Sequence, residues 1–485
     1  LGVKEKTESE TGARDDRGMT RCKEKEEGTM KRGIIGMKKR SGLGLILLLL
    51  AFLLVGCGGK SRQETSGESK EKQLSGKAEG YTGEELEALC GEWSAVYGLF
   101  TSYEEDGEKT EQFSMASDDS MVENALVLYT ENGALYADYR DSVMTCYHLP
   151  MERVKEKLYE GYEGYDWYLV AKPGRWEEVP LRFGLNDKGE LLRFNAGEEE
   201  GDRWEYQSLF VKNDSENSKK TEAYRYARVV TVSTAEELAA AIGNRTKIIL
   251  KPGAYDITAL TAAGTTGKVS ETYDTVIDVP GFYLEGIENL CIEAESGELT
   301  ELYITDSARP VLPIYNSGHI KFSGITFGHR IEPGHCSGSV IYMSGASNID
   351  IEGCKLYGCG SYGIEADGAS DLRFKGSEIY GCTYGIMYLR NVYYLDAADC
   401  DFYDNSGYEM LDFYQSSGIH FRDCHFRNNG NKDHAFMRLA KCWGIEIDKC
   451  KFDDNVYAKF ADNDAKEDES ESSLTIENTV FHDGN

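Results

Sequence analysis

A short pattern, apolar-x-apolar-x-x-small-x-apolar, recurs down the second half of this chain and dictates most of its shape. Its inward positions begin with Ile320, Phe322, Ile325 and Phe327, then Ile349, Ile351, Cys354 and Leu356, then Leu372, Phe374, Ser377 and Ile379. It continues through Leu395, Ala397, Cys400 and Phe402, Ile419, Phe421, Cys424 and Phe426, and Ile445, Ile447, Cys450 and Phe452, and ends at Leu474, Ile476, Thr479 and Phe481. Successive first members are 29, 23, 23, 24, 26 and 29 residues apart. Alternation by two is a strand, and the break before the small residue is a bend into a second strand. Recurrence every ~20–30 residues marks a solenoid, in which each coil buries its apolar side only against its neighbours. Short strands repeated without helices predict an all-β, right-handed parallel β-helix.

A second column supports this reading. Cys359, Cys382, Asn405, Asn429 and Asn455 each stand five positions after a small residue. Coils stack ~4.8 Å apart, so these side chains share one turn, where Asn satisfies backbone groups and pairs with the Asn above and below. The inward cysteines Cys354, Cys400, Cys424 and Cys450 behave as small hydrophobes. A Cys359–Cys382 bridge is the disulfide that column stacking would permit.

The chain of 485 residues carries a net charge of −31. Residues 1–56 hold 12 Lys/Arg against 8 Asp/Glu, so the remainder carries −35. That balance argues against nucleic acid as a partner. It also disfavours polyanionic glycans unless a cation bridges them, which makes Ca2+ the cofactor to test. The tyrosine content, 31 residues, suits a surface that stacks on sugars.

Five domains or segments are expected. Residues 1–56 form an upstream extension and signal peptide, in which Lys31, Arg32, Lys38, Lys39 and Arg40 precede an apolar run from Leu43 to Val55. Thirteen apolar residues suit a secretory segment and are too few to span a bilayer. Leu54-Val55-Gly56-Cys57 resembles the bacterial lipoprotein box, which implies lipidation at Cys57, export, and a membrane partner reached through that lipid. Translation would then start at Met30 or Met37. Residues 57–80 are a Gly/Ser/Lys/Glu stalk. Residues 81–211 read as a small antiparallel β domain, opening on Leu89-Cys90-Gly91-Glu92-Trp93, which resembles the Gly-x-Trp start of lipocalin-like barrels. Residues 212–224 read as a polar linker and 225–485 as the β-helix. The loop 461–472, with Asp462, Asp464 and Asp468, reads as a solvated insertion or a cover for the last coil.

Thr234 and Glu237 form a capping box before Leu238–Ile242, which predicts a short helix over the open first coil. Val232 to Leu238, with Ile249 to Tyr255, resembles the opening of the pectate-lyase-like superfamily. That resemblance covers about 228–485 and implies a fold shared by many chemistries.

A third strand precedes each ladder segment, and its phase predicts which side chains face outward. One outward column is Tyr342, Glu365, Tyr388, Asp412 and Arg438; the next is Ser344, Asp367, Arg390, Tyr414 and Ala440. A one-residue slip at Ile386-Met387 would turn Tyr388 inward. Glu365, Asp367 and Asp412 are the candidate catalytic carboxylates, with Glu365 and Asp412 spaced for an inverting glycosidase pair. Arg390 and Arg438 are the candidate bases of a lyase. Tyr342, Tyr388 and Tyr414, with His329, His335 and His434, are the candidate substrate-binding residues. Tyr362, Tyr384, Glu409, Asp433 and His434 stand where polygalacturonases of the superfamily keep catalytic acids, but no Asp-Asp pair, Gly-His-Gly or Arg-Ile-Lys stands there. The expected partner is a complex polysaccharide, bound and cleaved by lyase or glycoside hydrolase chemistry. The alternatives are a non-catalytic glycan- or protein-binding module and a structural spacer.

Overall fold

The computed structural model describes residues 82–483 except 105–108, 119–124, 141–144, 154–163, 165, 171–180, 200–201, 259, 261–280, 296–298, 359 and 464–471. The signal segment, Cys57, the stalk, Cys359, Asp464 and Asp468 therefore lie outside the described residues.

From residue 228 onward the chain is a right-handed parallel β-helix built from three parallel sheets of ten, nine and eight strands. Each complete coil contributes one strand to each sheet. The ten-stranded sheet stacks Ile320, Ile349, Leu372, Leu395, Ile419, Ile445 and Leu474 in one row. The nine-stranded sheet stacks Phe327, Leu356, Ile379, Phe402, Phe426, Phe452 and Phe481. Both rows are those the repeat predicts, and all but their last members are buried or nearly so. Ring centroids of Phe402, Phe426, Phe452 and Phe481 lie 4.8, 4.6 and 4.8 Å apart. Each contact adds about 0.5–1.5 kcal/mol beyond the apolar area it buries.

The asparagine column closes the turn between the nine- and eight-stranded sheets. The Asn405 amide donates to Asn429 Oδ1 at 3.0 Å, and the Asn429 amide donates to Asn455 Oδ1 at 3.0 Å. The same amides also donate to the backbone carbonyls of Ile379 and Phe402. Cys382 caps the column with its backbone N–H on Asn405 Oδ1 and is a free, buried thiol. The Cys359–Cys382 bridge that the stacking would permit is therefore not made. Among the described residues Cys336 is disulfide-bonded, in the long loop after His329, whose register the repeat does not govern.

The helix Ala235–Ala241 covers the first coil with Leu238 fully buried beneath it. Thr234 Oγ1 accepts from the Glu237 N–H at 3.2 Å, whereas the Glu237 carboxylate accepts from the Ser233 N–H at 2.8 Å. The return half of the cap is thus one residue earlier than the sequence pattern implies.

The preceding strands form an antiparallel meander from Gly91–Tyr103 to Asp202–Lys212. The first strand pairs with both Ala125–Glu131 and Asp202–Lys212, so the sheet closes on itself. Trp93 is buried inside it, and its indole donates to the Leu89 carbonyl at 2.9 Å. Gly91 has φ +137, and a Cβ there would press on the Lys212 side chain, which explains the Gly-x-Trp spacing. Two elements were not legible as structure. Gly83–Leu89 is a helix with a Thr82/Glu85 capping box, and Glu216–Arg225, read as linker, is a 3-10 helical stretch. Arg225 at its end is buried and donates to Asp118 of the meander at 2.5 Å and to Asn289 of the β-helix at 3.0 Å. It ties the two together.

Candidate functional site

The eight-stranded sheet carries the candidate site on its outer face. Its strands Ile341–Ser344, Tyr362–Asp367, Gly385–Arg390, Leu411–Tyr414 and Gly430–Ala440 are consecutive neighbours. Tyr342, Glu365, Tyr388, Asp412 and Arg438 stand in one row, and Ser344, Asp367, Arg390, Tyr414 and Ala440 in the next. Met387 is buried and Tyr388 is not, so no slip occurs at Ile386-Met387. The phase holds because Ile364, Met387, Leu411 and Met437 stack into the core in the same register.

Within this face one group is assembled. Asp412 is 4% exposed. Its two oxygens accept from Arg438 Nε at 2.9 Å and Nη2 at 2.5 Å. Burial pushes the Asp412 carboxyl up, against the pull of Arg438, and the nearby Glu409 adds to the rise. Arg438 is less buried than its partner, and the Asp412 carboxylate bonded to it raises its own pKa. The Glu409 carboxylate lies 3.3 Å from His434 Nδ1. Aromatic rings wall this group. Tyr362 packs 5.6 Å from Tyr388 and edge-on to Tyr384, Tyr384 lies 4.8 Å edge-on to Tyr408, and Tyr408 is 5.1 Å from His434. Burial, then Asp412, raises the pKa of both Tyr362 and Tyr388. Tyr384 and Tyr408 stay open to solvent.

Several sequence-predicted residues lie elsewhere or are otherwise engaged. Glu365 and Asp412 stand two coils apart in the row with Tyr388 between them, as the repeat predicts, and Asp412 is bonded to Arg438. Asp367 is held by Arg390 and by Asn391 Nδ2 at 3.1 Å, and Arg390 lowers its pKa. The same contact raises Arg390. Neither arginine therefore suits the part of a base, since each is paired with a carboxylate that strengthens its hold on the proton. Tyr342 is 6% exposed and packs 5.8 Å from Tyr315, so its face is covered. Tyr414 lies 5.9 Å under the Lys441 ammonium. His329 is buried in the nine-stranded sheet, with Nε2 3.0 Å from the Arg309 carbonyl, and burial lowers its pKa. His335 is exposed in the following loop, 3.6 Å from Glu332. Asp433 is exposed at the rim. Tyr408 was missed, because it precedes the strand by three residues and lies outside the alternation. Its one signal is an aromatic placed immediately before Glu409. Among the described residues no three His, Cys, Asp or Glu side chains gather as a metal cage.

A family model described as "right handed beta helix region" matches residues 286–438. No match was found among curated proteins. Of solved structures, the chain is similar to an alginate lyase from Paenibacillus sp. str. FPU-7, at 12% identity over 53% of this chain and 97% of that one, with TM-score 0.26. It is similar to PfbA, a surface adhesin of Streptococcus pneumoniae, at 11% identity over 53% and 74%, TM-score 0.28. It is also similar to a GH87 alpha-1,3-glucanase from Streptomyces thermodiastaticus, at 9% identity over 79% and 74%, TM-score 0.23. At these identities and TM-scores the likenesses carry no conclusion about what this chain does.

Proposed function

We propose that the outer face of the eight-stranded sheet binds a polysaccharide and cleaves it by acid–base chemistry at Glu409 and His434. The observation that carries this reading is the Glu409–His434 contact, set beside a fixed Arg438 guanidinium and walled by Tyr362, Tyr384, Tyr388 and Tyr408. A carboxylate and an imidazole in contact can pass a proton to or from a glycosidic oxygen or a sugar carbon. Asp412 acts as a positioning residue that holds Arg438 in plane, and Arg438 offers its charge to a substrate carboxylate or a developing oxyanion. Open tyrosine rings supply stacking for sugar rings. Hydrolase and lyase chemistry both remain within this reading, with Glu409 and His434 in place of the arginine bases expected from sequence.

The second reading is a binding module without turnover. It is favoured by the aromatic rim itself, since exposed Tyr384 and Tyr408 would serve recognition as well as catalysis. The test is incubation of the protein with a panel of acidic and neutral polysaccharides, with and without Ca2+, following reducing ends and ultraviolet absorbance of unsaturated product together. Reducing ends alone mean a hydrolase, both signals together mean a lyase, and retention without either means a binding module.

Attachment to the bacterial cell envelope through a lipid on Cys57 belongs to the same proposal, supported by the basic and apolar segments before it. Cys57→Ala should move the protein from the membrane to the soluble fraction; an unchanged distribution would remove the anchor from the account.

A further inference from the structure

The ten-stranded sheet has one residue per coil that its pairing skips and whose backbone turns left-handed. From coil to coil these are Asn289, His319, Asn348, Asp371, Tyr394, Gly418 and Gly444, all with φ between 52° and 66°. Asn, Asp, His and Gly tolerate that conformation, whereas a bulky side chain there is an outlier. Two bulky residues break the rule: Arg245, level with Asn289 and half-buried with its guanidinium over Phe113, and Tyr394, which no burial compensates because it is 66% exposed. A strained residue that gains nothing from the core points to a use at the surface.

Its surroundings are built around an open ring. A Cβ on Gly418, the next residue in the column, would come within 2.9 Å of the Tyr394 ring, so the glycine leaves the ring room to lie along the sheet. The adjacent Tyr393 is exposed. Trp443 is exposed too, and it stands in the Tyr393 row two coils on, with only Ser417 between them. The coil spacing sets Tyr393 and Trp443 about 10 Å apart along the sheet. Beside the Tyr394 ring lies an open hollow of about 330 Å³, lined also by Asp371, Arg373, Asp396, His420 and Arg422. Its basic groups are already matched. Arg422 donates to both oxygens of Asp396 at 3.0 and 2.6 Å, Arg373 is bonded to Asp350, and His420 lies 3.7 Å from Glu446. Among the residues lining the hollow no surplus cation is left for a phosphate or a uronate. Flat rings beside planar, mutually paired hydrogen-bonding groups suit a neutral sugar, with its C–H face on the rings and its hydroxyls on the ion pairs.

We propose that this face is a second glycan-binding surface, distinct from the eight-stranded sheet, and that it takes a neutral polysaccharide chain on Tyr393, Tyr394 and Trp443 without cleaving it. The test is affinity electrophoresis of the whole protein in gels containing galactomannan, xyloglucan or dextran, with hyaluronan as the anionic counterpart. At least one neutral polymer should retard the protein more than hyaluronan does. Tyr394→Asn, which restores the residue type found at Asn348, should weaken that retardation at least about tenfold while leaving the melting temperature unchanged or higher. Trp443→Ala should weaken it in parallel. The proposal is overturned if no neutral polymer retards the protein, if hyaluronan retards it as strongly, or if either variant is retarded as wild type. A lowered melting temperature in Tyr394→Asn would also overturn it, by showing that the tyrosine serves the fold.

Discussion

Asp412 presents both carboxylate oxygens to the Arg438 guanidinium of the next coil, while the rest of its side chain is buried in the outer face of the eight-stranded sheet. The pair is asymmetric: the Arg438 side chain is 42% exposed and that of Asp412 only 5%. Removing the arginine therefore strands a charge that water cannot reach, whereas removing the aspartate leaves a guanidinium able to hydrate.

Arg438→Met should cost about 2–3 kcal/mol at neutral pH, and Asp412→Asn less. The penalty is pH-dependent with a definite sign. Burial raises the Asp412 carboxyl in the folded state, so protonation favours folding. That contribution is full below the unfolded value near 4 and is lost as pH rises through the folded value. Loss of Arg438 raises the folded value further. Urea midpoints of Arg438→Met and wild type should thus converge at about pH 4 and separate towards pH 7. Equal separation at both would show that Asp412 is not the group responsible.

The asparagine column should behave as one unit. Asn429→Ala removes the donor to the Phe402 carbonyl and the acceptor for the Asn405 N–H and amide, all buried. Stranded groups cost about 1–3 kcal/mol each, so a loss above about 2 kcal/mol is expected from thermal or urea unfolding. A loss below half of that would mean that water replaces the side chain.

The buried thiols of Cys354 and Cys382 should be inert in the folded protein. Burial pushes Cys354 up to about 11 and Cys382 up to about 12. Since the thiolate is the nucleophile, iodoacetamide at about pH 8 should label neither until denaturant is added. Cys90, the one free cysteine among the described residues that is only half-buried, should react before these two. Rapid labelling of Cys382 in native buffer would contradict the packing described for the column.

Much of this architecture was legible because a solenoid repeats its instructions. Ile349, Leu372, Leu395 and Ile419 name one row, and seven coils vote on every register. The outward rows were legible for the same reason, down to the alignment of Tyr388 between Glu365 and Asp412. What was not legible lies in the third dimension of each side chain. Sequence cannot tell that Asp412 is covered by Arg438, that Tyr342 is shut in by Tyr315, or that His329 turns into the core. Nor does a repeat describe its own interruptions. Tyr408 and the Cys336 loop sit between strands, where no row fixes their place, and Tyr394 shows as an exception only once the left-handed column is seen.

The central claim is tested most directly by comparing wild type and Glu409→Gln on whichever polysaccharide the protein cleaves, measuring product release and retention in the same samples. The account predicts that Glu409→Gln keeps its retention and loses product formation by at least about a hundredfold. Wild-type rates in Glu409→Gln would contradict it and return the face to recognition alone.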